Sequence, residues 1–204
     1  MKDISHLNQP NVVTLPAGLR TENCEINGEL KIVNELNKHF TNIADIIEKS
    51  PFNPEHFREL KCVLDEKIGN KMFHISCITP LEVKQIIDKL DVSKSTGLDG
   101  IGPKVIKHCG DSITLCIASM INHSIRNGIF PDSLKTARVI PLFKSGLKED
   151  PNNYRPISIL PTISKIFERH IANQVQSFLH STHAIHTKQS GFRENHSCST
   201  ALTV

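Results

Sequence analysis

Along residues 30–49 the apolar side chains Ile32, Leu36, Phe40, Ile43 and Ile47 recur every three or four positions. That spacing lays them on one face of a helix, which stops at Ser50 and Pro51. Residues 1–29 show no period and read as a loose arm. Residues 51–78 are mixed, with a short helix expected around 56–65. A clean start signal follows. Thr79, Pro80 and Glu82 supply a capping hydroxyl, a first-turn proline and a capping-box carboxylate in the right order. Val83, Ile86, Ile87 and Leu90 then share one face. The stretch SKSTGLDGIGP, with three glycines and a closing proline, reads as a loop. A short helix is expected over 103–108, closed by Gly110. A longer one, capped by Asp111 or Ser112 and ended by Gly128, buries Ile113, Cys116, Ile117, Met120, Ile121 and Ile125. Cys109 and Cys116 are expected among these apolar contacts as small hydrophobes.

The pattern changes after Thr136. ARVIPLF and YRPISIL are short extended runs on either side of the polar, turn-forming KSGLKEDPNN, which together predict a β-hairpin. Pro141 and Pro156 lack an amide donor, so both strands should be edge-like or irregular. A last long helix opens at Thr162 or Ser164 and runs to about His180. Its apolar face holds Ile163, Ile166, Phe167, Ile171, Val175, Phe178 and Leu179. The remainder is polar loop. No internal repeat or low-complexity run interrupts the chain.

Composition narrows this picture. The 204 residues suffice for one large domain or two small ones. Apolar residues make up 38% and aromatics 5%, with no Trp and one Tyr, so the core must be built mostly of Ile, Leu and Val. Charge is unevenly spread. Residues 1–130 carry 15 basic against 16 acidic side chains, a net of −1, and residues 131–204 carry 9 against 5, a net of +4. A phosphate-bearing partner is therefore sought in the last third, although +4 over that length also suits an ordinary solvated surface. The six cysteines form no C-x-x-C pair. The ten opening residues are polar, unlike a secretory signal. The longest apolar stretch, 113–121, is too short to cross a bilayer. An intracellular chain with free thiols, in cytoplasm or nucleus, is expected. The Asn-x-Ser matches at Asn122 and Asn195 are then chance sequons. His180, His183, His186, His196 and Cys198 have spacings that do not match a common zinc site, and nothing marks a nucleophile for a Cys–His protease.

Four blocks within 79–204 carry a resemblance. KSTGLDGI lies at 94–101 and NGIFPDSLKTARVIPLFKSG at 127–146. NYRPISIL at 153–160 is followed by SKIFER at 164–169, and QSGFRENHSCSTA closes the series at 189–201. In this order the blocks resemble the amino-terminal part of reverse transcriptases from non-LTR retrotransposons, especially the jockey-like group. Residues 30–78 resemble, more faintly, the helical linker that precedes the polymerase in such elements. One departure is Leu134, where the family often has Trp. The other concerns chemistry. The family's metal-holding carboxylates lie in an F-x-D strand and a Y-A-D-D turn, but the only tyrosine here, Tyr154, precedes Arg155 and Pro156, and no two aspartates are adjacent. Both segments would fall beyond Val204, so the chain is expected to be truncated before the catalytic palm.

The resemblance implies a helix-rich α/β fold, a partial set of right-hand polymerase fingers with a β-hairpin and several amphipathic helices. Residues 1–78 would be a linker or N-terminal extension, 79–135 a helical pre-fingers region and 136–204 the truncated fingers. Partners would be an RNA template, RNA–DNA duplex and deoxynucleoside triphosphates, with Mg²⁺ in the full-length enzyme and no cofactor in this chain. On their residues alone, Lys144 and Arg155 are cations on a hairpin, suited to closing over a triphosphate or to solvent. The resemblance places them near the incoming nucleotide. It places Gln189, Gly191 and Arg193 near template or primer backbone, where Gly191 would permit close approach and Arg193 would contact phosphate. A partly exposed loop is the alternative. Lys94 suits template backbone or plain solvent, and Asp99 a structural turn that bonds backbone amides. Two other functions compete: a helical protein-interaction module, and a non-functional relic of a broken element.

Overall fold

The computed structural model describes residues 15–21, 24–47, 54–186, 189–191, 193, 196, 197 and 199; for the side chains of 43–47, 54, 56, 57, 60, 63 and 64 no position is given. In chain order the elements are β1 (Gly18–Arg20), β2 (Glu25–Asn27), α1 (Glu29–Ile47), α2 (Pro54–Ile68), α3 (Pro80–Asp88), α4 (Pro103–Cys109), α5 (Asp111–Asn127), α6 (Asp132–Lys135), β3 (Arg138–Phe143), β4 (Tyr154–Ile159) and α7 (Thr162–Ser181), with a one-turn 3-10 helix at Pro151–Asn153. The sheets are two separate antiparallel ribbons, β1 with β2 and β3 with β4. The chain is thus helix-rich with a small β component, compatible with the α/β class expected.

The chain divides into two compact units, one made of residues 1–51, 95–101 and 133–161, the other of 52–94, 102–132 and 162–204. In the first unit, residues 15–21 and 24–27 are not the loose arm that their lack of periodicity predicts. Three-residue strands are too short to show alternation, yet Gly18, Leu19 and Arg20 pair with Asn27, Ile26 and Glu25. Leu19 is fully buried beside Ile32 and Leu36 of α1 and Tyr154 of β4. Leu15, Ile26, Phe40 and Phe143 pack around that cluster. The expected helix face of Ile32, Leu36 and Phe40 is therefore the face that makes this core; Ile43 and Ile47 lie outside the described side chains.

The second unit is helical. Thr79 caps α3 as its sequence indicates: its hydroxyl accepts the Glu82 N–H, and the Glu82 carboxylate accepts the Thr79 N–H at 2.7 Å. The bond from the Thr79 N–H first, and then the one its hydroxyl donates to the same carboxylate at 2.7 Å, hold the Glu82 carboxyl below its ordinary value. Helix α2 is longer than expected, and α5 is turned relative to the expected stripe. Its buried residues are Thr114, Ile117, Ala118, Ile121 and Ser124, whereas Cys116 is exposed and Ile113, Met120 and Ile125 are half-buried. Cys109 is exposed as well, which corrects the reading of both thiols as core residues. Helix α5 packs against α3. The extended segment 71–79 is tied down by side-chain amides. Asn122 of α5 accepts the Ile78 N–H at 2.7 Å and donates to the Ile78 carbonyl at 2.8 Å. Gln174 of α7 accepts the Ser76 N–H at 2.8 Å. Phe167 of α7 is buried and stacks on Phe130 at 4.9 Å.

Candidate nucleotide-contacting ribbon

The hairpin expected between 137 and 160 is present, with Arg138 opposite Ile159, Leu142 opposite Arg155 and Phe143 opposite Tyr154. The Lys144 N–H donates to the Asn153 carbonyl at 2.8 Å, extending the ladder by one step. This bond also sets the ladder's phase. Hydrogen-bonded pairs alternate with non-bonded pairs, so Pro141 and Pro156, directly opposed, fall in a non-bonded pair where neither needs a donor. Two prolines that argue against a strand one at a time are thus accommodated together.

Alternation along the ribbon places Leu142, Lys144, Arg155 and Ile157 on one face, and Phe143, Tyr154 and the two prolines on the other. Towards the turn the first face is open: Lys144 and Arg155 are exposed, as are Leu142 and Ile157 at 50% and 43%, while Ile159 at its base is buried. The second face carries Phe143 and Tyr154, ring centroids 5.5 Å apart, into the core with α1. The Tyr154 hydroxyl donates to the Lys148 carbonyl at 2.8 Å, and the Arg20 N–H at the end of β1 donates to the Glu149 carbonyl at 2.7 Å. The turn is fastened from both sides.

The other end of the ribbon is held by the glycine-rich loop. The Arg138 guanidinium donates to the Thr96 carbonyl at 3.2 Å. Gly97 is buried so tightly that a Cβ there would stand 2.7 Å from the Pro161 nitrogen and 3.0 Å from the Leu160 carbonyl carbon. Asp99 accepts the Ile101 N–H at 3.1 Å, a turn bond within the loop.

The remaining sequence candidates lie in the second unit. Lys94 is exposed and 3.7 Å from the Asp91 carboxylate. Arg193 donates to the Gln189 carbonyl at 3.1 Å, and its Nε is buried with no hydrogen-bond partner among the described residues. Gln189 contacts the Gly191 carbonyl at 3.4 Å, and a Cβ at Gly191 would meet open space. Phe192, Glu194, Asn195 and Cys198 lie outside the described residues. Among those described, no three His, Cys, Asp or Glu side chains are grouped so as to hold a metal ion, and no helix is long and apolar enough to cross a membrane.

Sequence reasoning missed the packing of Phe143 and Tyr154 on the opposite face, although alternation in YRPISIL already sends Tyr154 and Arg155 to opposite faces. Burial, and secondarily the Glu149 charge, raise the Tyr154 hydroxyl above the usual tyrosine value of 10.0. A raised value means that the fold favours the neutral phenol. The associated stability is present below pH 10.0 and is lost as pH rises through the raised value. Because Tyr154 is the only tyrosine and the chain has no Trp, phenolate absorbance reports this group alone. Its native titration is expected above 10.0 and should return to the ordinary value in denaturant. An ordinary native midpoint would mean that the ring is not seated in the core.

No protein-family model matches the chain. It is 36% identical over 123 residues to the RNA-directed DNA polymerase from mobile element jockey of Drosophila melanogaster, a match covering 60% of this chain and 13% of that protein. To the protein of the same name from Drosophila funebris it is 35% identical over 120 residues, covering 58% and 13%. To the probable RNA-directed DNA polymerase from transposon BS of Drosophila melanogaster it is 33% identical over 124 residues, covering 59% and 14%. Over about three-fifths of its length this chain is therefore homologous to a segment of the RNA-directed DNA polymerases of jockey-like non-LTR retrotransposons, and it spans about one-seventh of the length of these relatives.

Proposed function

We propose that the chain serves as a nucleotide- and template-contacting part of a retrotransposon RNA-directed DNA polymerase. The observation that carries this reading is the open face of the β3–β4 ribbon, where Lys144 and Arg155 stand beside exposed Leu142 and Ile157. Such a face suits a ligand with a polyanionic end and a flat apolar end. Arg155 offers a two-pronged guanidinium to phosphate oxygens, and Lys144 a compact charge. RNA template or RNA–DNA duplex would be held by backbone contacts. Lys94 reaches phosphate once released from Asp91, and Arg193 once released from Gln189. Gln189 and Gly191 shape that second contact. The divalent metal associated with such polymerases has no fitting carboxylate group among the described residues, so this segment contributes grip and placement and no metal-assisted step is assigned to it.

Titration with a labelled deoxynucleoside triphosphate tests the reading. Arg155→Ala should weaken binding about tenfold, the loss expected for one charge-assisted contact, and Arg193→Ala should reduce the salt dependence of RNA binding. Equal affinity of the native and Arg155→Ala chains would remove it. Exposed apolar side chains such as Leu147 also favour a protein-binding surface. Gel mobility with an RNA–DNA duplex separates that alternative, because a pure protein-binding module would leave the duplex unshifted.

A further inference from the structure

The two candidate cations are each preceded by an aromatic residue that faces the opposite way. Phe143 precedes Lys144, Tyr154 precedes Arg155, and Phe143 and Tyr154 are directly opposed in the ladder. Both rings join the cluster of Leu19 from the first hairpin and Ile32 and Leu36 from α1. Leu19 and Leu36 are among the most deeply buried side chains of the chain. In a two-stranded ribbon, burying one face determines which way the other points. An isolated two-stranded hairpin is also marginal in water and needs a packing partner to hold its shape. The partner is supplied by residues far earlier in the sequence, and the bond from Arg20 N–H to Glu149 carbonyl adds a second tie to the turn.

We infer that β1, β2 and α1 form a brace that sets the direction of Arg155 and Lys144, with Tyr154 and Phe143 as positioning residues acting through them. The inference rests on the nucleotide-contacting reading above. The brace holds the ribbon in one twist and register, so the ligand meets both cations already placed. Without it the ribbon spends most of its time in other arrangements, and the apparent affinity falls in proportion to the seated fraction. Residues 15–47 then belong functionally to the ribbon and do more than connect it to a preceding segment.

The test measures two quantities on the full chain: affinity for a labelled deoxynucleoside triphosphate, and hydrogen exchange at the Ile140, Leu142, Arg155 and Ile157 amides, which lie in the bonded pairs of the ladder. Leu36→Ala is expected to weaken binding about tenfold, corresponding to a ribbon seated about a tenth of the time, and to speed exchange at those four amides while α5 and α7 keep their protection. Leu36→Met, which conserves volume, should restore both. Arg155→Ala should weaken binding with ribbon exchange unchanged, which separates loss of a contact from loss of placement. If Leu36→Ala unfolds the first unit outright, Ile32→Val removes one methylene and should give a smaller loss in the same direction. A Leu36→Ala chain that binds as tightly as the native one, while Arg155→Ala does not, overturns the brace and leaves the nucleotide reading standing. Native affinity in Arg155→Ala, or no binding by the native chain, overturns the nucleotide reading and the positioning role with it.

Discussion

Replacing Gly97 by alanine is expected to lower stability by about 2–3 kcal/mol, in the range for forcing an extra methyl group into a filled site. The added Cβ would stand 2.7 Å from the Pro161 nitrogen and 2.8 Å from its Cα. These are backbone atoms at the end of β4, so the strain cannot be relieved by turning a side chain. Either the loop 95–101 lifts, breaking the bond from Arg138 to the Thr96 carbonyl, or the Leu160–Pro161 junction shifts and disturbs the base of the ribbon. Gly100 is the control. It has φ +70 but open space around a built Cβ, so Gly100→Ala should cost only the left-handed backbone penalty, about 1 kcal/mol. Denaturant midpoints for both variants decide the matter. Equal, small losses would show that Gly97 is not pressed against that junction.

The second large effect is expected at Asn122. Its amide accepts the Ile78 N–H and donates to the Ile78 carbonyl, doing for segment 71–79 what a neighbouring strand would do. Ile78 is itself buried. Asn122→Ala strands both backbone groups, and an unsatisfied buried group costs about 1–3 kcal/mol, so a total loss of about 2–4 kcal/mol is expected. Asn127 sits near the exposed end of the same helix and makes one bond, to the His123 carbonyl. Asn127→Ala should stay within about 0.5 kcal/mol of the native chain. Thermal melts of the two variants give the comparison. Similar melting points for both would show that segment 71–79 is held by something other than this side chain.

Local patterns in the sequence are enough to specify the helices with long apolar faces and the hairpin. The capping box at Thr79 and Glu82 needs only residues three apart, and α1 needs only the rhythm of Ile32, Leu36 and Phe40. The ribbon follows from two extended runs around a turn, and the four ordered blocks carry the kinship with jockey-like polymerases. Each of these signals lies within a short window of chain, where propensity and periodicity act directly.

Other features depend on partners distant in sequence. The β1–β2 hairpin has strands of three residues, too short for alternation, and its Leu19 is buried in one cluster with Ile32 and Leu36 of α1 and Tyr154 of the ribbon. The rotation of α5, which exposes Cys116 and buries Ala118 and Ser124, is not readable from the apolar positions of its own sequence. The opposed prolines become acceptable only once the ladder's phase is known. Which way Lys144 and Arg155 point is decided by the burial of Phe143 and Tyr154 against residues more than a hundred positions away. The sequence by itself determined the segments and their kinship. Only the tertiary structure decided direction, because a two-faced ribbon takes its orientation from whichever face finds an apolar surface to cover it.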